Sequence, residues 1–345
     1  MELLRIIAMF FIVVSHYAVH SGIKYDNLHM MEKTALSMFN IGNLGVDIFV
    51  IISGYFMINS KFKLKKLMML EAQVLFYTII CYIIVVVNGA ADISIKSIAF
   101  SFLPTLFEHY WFFTAYIVMY IFTPYINRLI HSLSREAFLK FLLIMILLWS
   151  FTTTFATTGL YSYPLGTFLL LYSIGAYIRL YPDFKYNTNK SSIITIILCE
   201  GFLLMSVIVF GVLGIDKEAY FFQRLSLPTL LLAVGIFVLF THINIRYNSF
   251  INLVASSTFG IYLIHENTYV RAALWPFLQH LRGGMSHIIY ALICAVAVFI
   301  VCSIIELIRS RTEGVLADKL ISKLLYVGER PIGYLKELLL NKILQ

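Results

Sequence analysis

The sequence predicts an all-α polytopic membrane protein of about ten transmembrane helices with both termini cytoplasmic, and three observations carry that reading. Hydrophobic residues make up 60% of the 345 and charged residues only 13%, whereas a soluble domain is about a quarter charged. Mean hydropathy is +0.87, and apolar runs near twenty residues recur along the chain, the length that crosses a hydrocarbon core of about 30 Å. The roughly ten-residue alternating segments of a transmembrane barrel do not occur.

The predicted spans are 3–20, 41–59, 67–88, 109–127, 138–157, 164–181, 191–213, 225–241, 250–271 and 287–308. The first has a short basic start like a secretory leader. His16 and Tyr17 interrupt it before any small-x-small cleavage site, so it is expected to be retained as a span. Of the 26 Lys and Arg residues, an N-terminus-inside arrangement puts nineteen on the inner side and seven on the outer, which sets the orientation and an even number of crossings. The same bias accounts for the net charge of +8, so no nucleic-acid partner is expected. Residues 1–312 are expected to form the membrane domain. Residues 313–345, with Lys319, Lys323, Lys336 and Lys342 among leucines and isoleucines, read as an amphipathic cytoplasmic tail on the membrane surface. No internal repeat is visible, which counts against a transporter built of inverted halves. Cys81, Cys199, Cys294 and Cys302 lie in apolar runs with no CxxC and no Cys/His spacing. They read as packing residues, and no metal is expected.

Arg5 and His16 are ionisable residues inside the first apolar span, where such groups are costly and commonly functional. Eleven residues separate them, three helical turns and about 20°, so they share a face roughly 16 Å apart along the axis. In the second span Gly42 and Gly45 permit close approach of another helix. Asp47 lies about as deep as His16, within about 3 Å at 1.5 Å per residue. A carboxylate at that depth would fix an imidazole tautomer; the alternative is a structural polar pair. Ser53 lies further in, and a serine there ordinarily bonds its own backbone. Its Ser-Gly-Tyr context is not a nucleophile elbow.

At the start of the fourth span Glu108, His109, Trp111 and Tyr116 are expected to line an outer vestibule, the alternative for the aromatics being the interfacial belt. The ninth span brings His265 and Glu266 to the level of His16. Neighbours on a helix differ by 100°, so only one of the two is expected to face the centre, and His265 is favoured. At the inner side Arg5 and the lysines Lys61, Lys63, Lys65 and Lys66 form a cationic mouth suited to phosphates; topology alone also explains the lysines.

Arg5-x10-His16, the GNLGVDIFVIISGYF segment from Gly42 to Phe56, the aromatic HYWFFTAYIVMYIFTPYIN stretch from His109 and the STFGIYLIH segment ending at His265 together resemble the acyltransferase-3 family of integral membrane acyltransferases. The fourth-span stretch is similar to that of the polysaccharide-modifying branch. The resemblance covers nearly the whole chain. It implies ten spans in a bacterial plasma membrane and an O-acyltransferase using cytoplasmic acyl-CoA, commonly acetyl-CoA, as donor substrate with no resident cofactor. The acceptor would be a hydroxyl of a cell-surface or exported polysaccharide or its lipid-linked precursor, in the company of polysaccharide synthesis machinery. His16, Asp47 and His265 would be catalytic, with His16 either a general base or the carrier of a transient acyl group. Arg5, Ser53 and Lys65 would bind the donor, and Glu108, His109, Trp111, Tyr116 and Glu266 the acceptor. Some relatives carry an attached extracytoplasmic SGNH-type domain, which 313–345 is too short to be, so direct transfer to a glycan is expected. The rival reading is an exporter of polysaccharide or lipid-linked sugar, with Arg5 and His16 as a proton relay.

Overall fold

The computed structural model describes residues 1–24, 28–89, 93–155, 164–215 and 217–327. Among them the chain is all-helical, 80% helix with no strand. The helices are α1 (Glu2–His20), α2 (Met30–Met38), α3 (Gly42–Met57), α4 (Leu64–Val87), α5 (Ile95–Phe102), α6 (Trp111–Ser132), α7 (Arg135–Met145), α8 (Thr152–Phe155), α9 (Pro164–Leu180), α10 (Asn189–Val212), α11 (Leu227–His242), α12 (Ser249–His265), α13 (Thr268–His280) and α14 (His287–Arg311). Local chemistry sets many starts: side chains of Ser94, Ser134, Thr188, Asn248 and Asn267 accept from backbone N–H groups in the first turns of α5, α7, α10, α12 and α13, satisfying donors the helix cannot. A π-helical turn, Ile146–Phe151, joins α7 to α8.

Among the described residues six segments are long and apolar enough to cross a membrane: Glu2–His20, Met30–Met57, Leu64–Val87, Arg135–Phe155, Asn189–Val212 and His287–Arg311. Of the expected ten crossings, these six meet that length and composition. α9, α11 and α12 are apolar but have only 17, 16 and 17 residues, about 24–26 Å at 1.5 Å per residue and short of the full core. α6 has 22 residues but carries Pro124, Asn127 and Arg128 in its C-terminal half. Of the predicted tail, 313–327 is helical; residues 328–345, with Lys336 and Lys342, lie outside the described residues, as does the end of the fifth predicted span, 156–157. The four cysteines are buried, and none forms a disulfide among the described residues.

The chain divides into two compact units. The first comprises Met1–Phe62 and Tyr110–Ser303 and is organised around α3. Glycines let α3 touch its neighbours backbone to backbone. A Cβ on Gly45 would stand 2.4 Å from the carbonyl oxygen of Ala8 on α1, and one on Gly42 2.7 Å from Ser15. On the other side Gly54 meets Tyr172 and Gly175 meets Ile51; an added Cβ at either would lie 2.1 Å from the facing carbonyl oxygen. α3 is thus clasped between α1 and α9 by small residues, the packing device of helices that gain no hydrophobic advantage from leaving lipid.

The second unit comprises Lys63–His109 and Ile304–Gln345. Thr78 on α4 donates to the Ser101 carbonyl at the end of α5 over 2.7 Å, and Thr105 donates to Glu71 over 2.7 Å. A buried cluster ties α4 to the end of α14: the Tyr77 hydroxyl donates to Glu306 over 2.7 Å, and Glu306 also accepts from Arg309 over 2.8 Å. Paired and hydrogen-bonded in this way, the buried charges avoid the penalty that isolated ones would incur.

Candidate active site

The polar centre of the first unit is assembled where α12 stops. α12 ends at His265, Glu266 is its C-cap with φ −95° and ψ −5°, and Asn267 immediately caps α13 by accepting from the Tyr269 N–H over 3.1 Å. The span expected to run on to residue 271 is therefore broken at 266. This break changes which residues can meet. His265 lies on the last helical turn and Glu266 turns off its end, so both reach His16. Nε2 of His265 is 2.9 Å and Oε2 of Glu266 3.1 Å from the same nitrogen, Nδ1 of His16. The expectation that only one of the two faces the centre fails because it assumed an unbroken helix.

Hydrogen-bond logic fixes the tautomers. Nδ1 of His265 is 2.6 Å from the Ile261 carbonyl oxygen. A carbonyl only accepts, so that nitrogen carries the proton and Nε2 of neutral His265 has the lone pair. Nδ1 of His16 must then be the donor in the 2.9 Å bond between the rings. Neutral His16 is left with an unprotonated Nε2, the form a base requires. Glu266 stands at ion-pair distance from His16 without a hydrogen bond through Oε2; Arg271 holds its other oxygen, Oε1. The neighbouring wall is aromatic. Trp275 is fully buried and meets the rings of both His265 and Tyr17 edge-on, at 6.0 and 6.1 Å. The Tyr17 hydroxyl donates to Gln279 over 2.6 Å. Tyr110 at the head of α6 donates to the Leu263 carbonyl over 2.7 Å and accepts from Asn267 over 3.0 Å, holding the last turn of α12 in place.

Asp47 does not join this centre, and the expected His16–Asp47 pair is not formed. Depth was matched but helical phase was not. Gly42 and Gly45 face α1, and Asp47 follows Gly45 by two residues, 200° around the helix. Its carboxylate is fully buried and is faced instead by the Arg224 guanidinium and the Leu225 backbone N–H. Neither closes to a standard hydrogen bond, and Nε and Nη1 of Arg224 are likewise without hydrogen-bond partners among the described residues. Burial draws the Arg224 guanidinium below its ordinary range, with Asp47 opposing. The loop carrying Arg224 is pinned to the bundle: Asn43 donates to the Phe222 carbonyl over 3.0 Å, and Lys33 pairs with Glu218 at 2.6 Å. Leu225 adopts a φ of +62° there, a left-handed conformation that branched side chains rarely take.

The expected acceptor residues are divided between the two units. Trp111 lies in the first unit with Arg224 stacked on its ring at 4.2 Å. Tyr116, five residues on, points instead toward Ser53 and the field of Arg5. It is the middle step of a stack along α6, Phe112–Tyr116 at 6.2 Å and Tyr116–Tyr120 at 6.4 Å. Arg5 and Ser53 are thus on one side of the bundle with Tyr116. Arg5 is half-exposed and pairs with Glu2 at 3.2 Å, and Ser53 donates to its own helix at the Phe49 carbonyl over 2.9 Å. Glu108, His109 and Lys65 belong to the second unit. There Glu108 has a φ of +50°, His109 packs on Phe100 with ring centroids 4.4 Å apart, and Lys65 pairs with Asp318 at 2.7 Å.

A family model described as an acyltransferase domain, acyltransferase-3, matches residues 1–307. The chain belongs to the acyltransferase-3 family. No curated protein and no solved structure matches significantly. The chain is accordingly a membrane acyltransferase in the general sense, and its imidazole pair is suited to that chemistry. In this acyltransferase, sequence reasoning missed Arg271, Arg224 and Trp275. The two arginines had been counted only as outer-side topology charges. The adjacency of Glu266 and Asn267 to His265 was the available sign that α12 ends there, since Asn favours caps over helix interiors.

Proposed function

We propose that this acyltransferase moves an acyl group, acetyl in the simplest case, from cytoplasmic acyl-CoA to a hydroxyl of a cell-surface or exported polysaccharide or its lipid-linked precursor. It would work as a multi-pass protein of a bacterial plasma membrane with both termini inside. The observation that carries the reading is the relay from the Ile261 carbonyl through His265 to Nδ1 of His16, which leaves Nε2 of His16 free to take a proton. In the proposed reaction the acceptor oxygen attacks the thioester carbonyl and its proton passes to Nε2 of His16. The new C–O bond forms as the C–S bond breaks, and the proton is returned to the departing CoA thiolate. Glu266, 3.1 Å from Nδ1, stabilises the imidazolium formed on the way. His265 sets the tautomer.

Arg5, roughly 16 Å along α1 from His16, is assigned to the donor's phosphates, with Tyr116 and Ser53 beside the path between them. That separation is on the scale of an extended pantetheine arm. Trp111 remains the acceptor-side aromatic. The lysine mouth and Ser53 are weaker donor-binding assignments, because Lys65 pairs with Asp318 and Ser53 bonds to its own helix.

The test is transfer by the reconstituted full chain supplied with labelled acetyl-CoA and membranes carrying the acceptor glycan. Label should enter alkali-labile O-esters as free CoA appears, and both should be lost in His16→Ala. Movement of glycan across the bilayer with no CoA release would favour the exporter reading instead.

A further inference from the structure

Glu266 offers a second chemistry that proton transfer does not use. Its residue is more than nine-tenths buried, Arg271 holds Oε1, and Oε2 has no hydrogen-bond partner. That orphaned oxygen is aimed between two imidazoles on α1, 3.1 Å from Nδ1 of His16 and 4.0 Å from Nε2 of His20. His16 and His20 are four residues apart, on one face of one helix, and their rings lie 5.4 Å apart. One ligand atom from each of His16, His20 and Glu266 falls within 4.8 Å of the others. Zinc held by two imidazole nitrogens and a carboxylate oxygen at about 2.0–2.2 Å needs donor atoms a little over 3 Å apart. The His16–Glu266 edge already has that spacing. His20, at the last residue of α1 and partly exposed, closes the rest by side-chain rotation.

We infer that His16, His20 and Glu266 form a binding site for a divalent cation of the zinc type, and that its occupancy switches the acyltransferase off. The cation chemistry follows from the donors: imidazole with a single carboxylate suits Zn²⁺ and Co²⁺, whereas Mg²⁺ and Ca²⁺ take oxygen ligands. Arg271 keeps Glu266 monodentate by occupying Oε1, and Nε2 of His265 is the next donor, 2.9 Å from Nδ1 of His16. The inhibition rests on the functional reading above. If the metal takes Nε2 of His16, the lone pair of the base is gone. If it takes Nδ1, the remaining proton moves to Nε2 and the base is again lost. His20 has no part in the transfer chemistry, so it separates the two activities.

The experiment is a Co²⁺ titration of the untagged full chain in detergent, read by the visible absorption of the bound ion with neither donor nor acceptor present. A saturable tetrahedral-type spectrum, displaced by Zn²⁺, is expected. His20→Ala should weaken binding at least about 100-fold, beyond the roughly 10–100-fold cost of losing a mere outer partner of a metal site, with an unchanged melting temperature in the apo form. Glu266→Gln, which preserves shape, should weaken it comparably. Binding that is as tight in both variants as in the native chain, or no saturable spectrum at all, overturns the site. In transfer assays Zn²⁺ should inhibit the native chain and spare His20→Ala, whose metal-free rate is unchanged. Equal inhibition of both overturns the switch. Because the spectrum is recorded without turnover, a failed transfer assay leaves the metal result standing.

Discussion

Two buried carboxyl groups in the same unit have opposite surroundings. Glu266 sits at the broken end of α12 between Arg271 and His16, next to a relay in which each imidazole proton has an acceptor. Asp47 sits inside α3, fully buried, opposite an arginine that does not close on it. In the proposed reaction the first arrangement prepares an imidazole for chemistry. The second places a charge pair beneath a pinned loop with a strained residue at Leu225, the sort of arrangement that holds a segment in one position. Similar expected depth and the same functional group therefore lead to different surroundings, because helix phase and helix termination decide what each carboxyl faces.

Substitutions can break that contrast. The largest effect is expected from His16→Ala, which should cut transfer roughly 10²–10⁴-fold, the usual worth of a positioned base, while labelled acetyl-CoA still binds. Next, Arg224→Ala strands the buried Asp47 carboxylate. About 3–5 kcal/mol of stability should be lost, as when one partner of a buried pair is removed, and adding Asp47→Asn should recover part of it in thermal unfolding in detergent. A melt unchanged by Arg224→Ala would show that the pair does not hold the loop. Glu266→Gln should lower kcat roughly 10²-fold, the scale of a misplaced or unsupported catalytic group, with KM for acetyl-CoA little changed; a KM effect alone would return Glu266 to substrate binding. The smallest effect is expected from Gly175→Ala, whose new Cβ meets the Ile51 carbonyl at 2.1 Å. Overpacking of this kind costs about 1–3 kcal/mol and should lower the melting temperature without changing the ratio of the Glu266→Gln and native rates.

Much of the architecture was legible because it rests on composition and run length. The apolar segments, the glycines that let α3 approach α1, and the alignment of Arg5 with His16 on one face all follow from one-dimensional spacing. His265 was found for the same reason: its depth matched. The carboxylate that faces His16 was not found, since depth says nothing about azimuth. Asp47 sits 200° from Gly45, the residue that faces α1. Glu266 was placed with the acceptor because an unbroken ninth span was assumed, and the Asn267 cap that ends it is a local signal that apolar run length overrides. Arg224 was invisible for another reason. A loop arginine reads as a topology charge, and only tertiary packing stacks it on Trp111 and turns it toward Asp47. The spacing of His16 and His20 was present in the sequence, but its third member lies 246 positions beyond His20.

The contrast between the two carboxyl groups is tested most directly by comparing Glu266→Gln with Asp47→Asn in one assay. Each would be purified, reconstituted at equal folded concentration, and timed for release of CoA and entry of label from acetyl-CoA into glycan O-esters. The expected result is a rate reduced roughly 10²-fold for Glu266→Gln and a near-native rate per folded molecule for Asp47→Asn. A near-native Glu266→Gln beside an inactive, folded Asp47→Asn would contradict it and return Asp47 to the role of partner to His16.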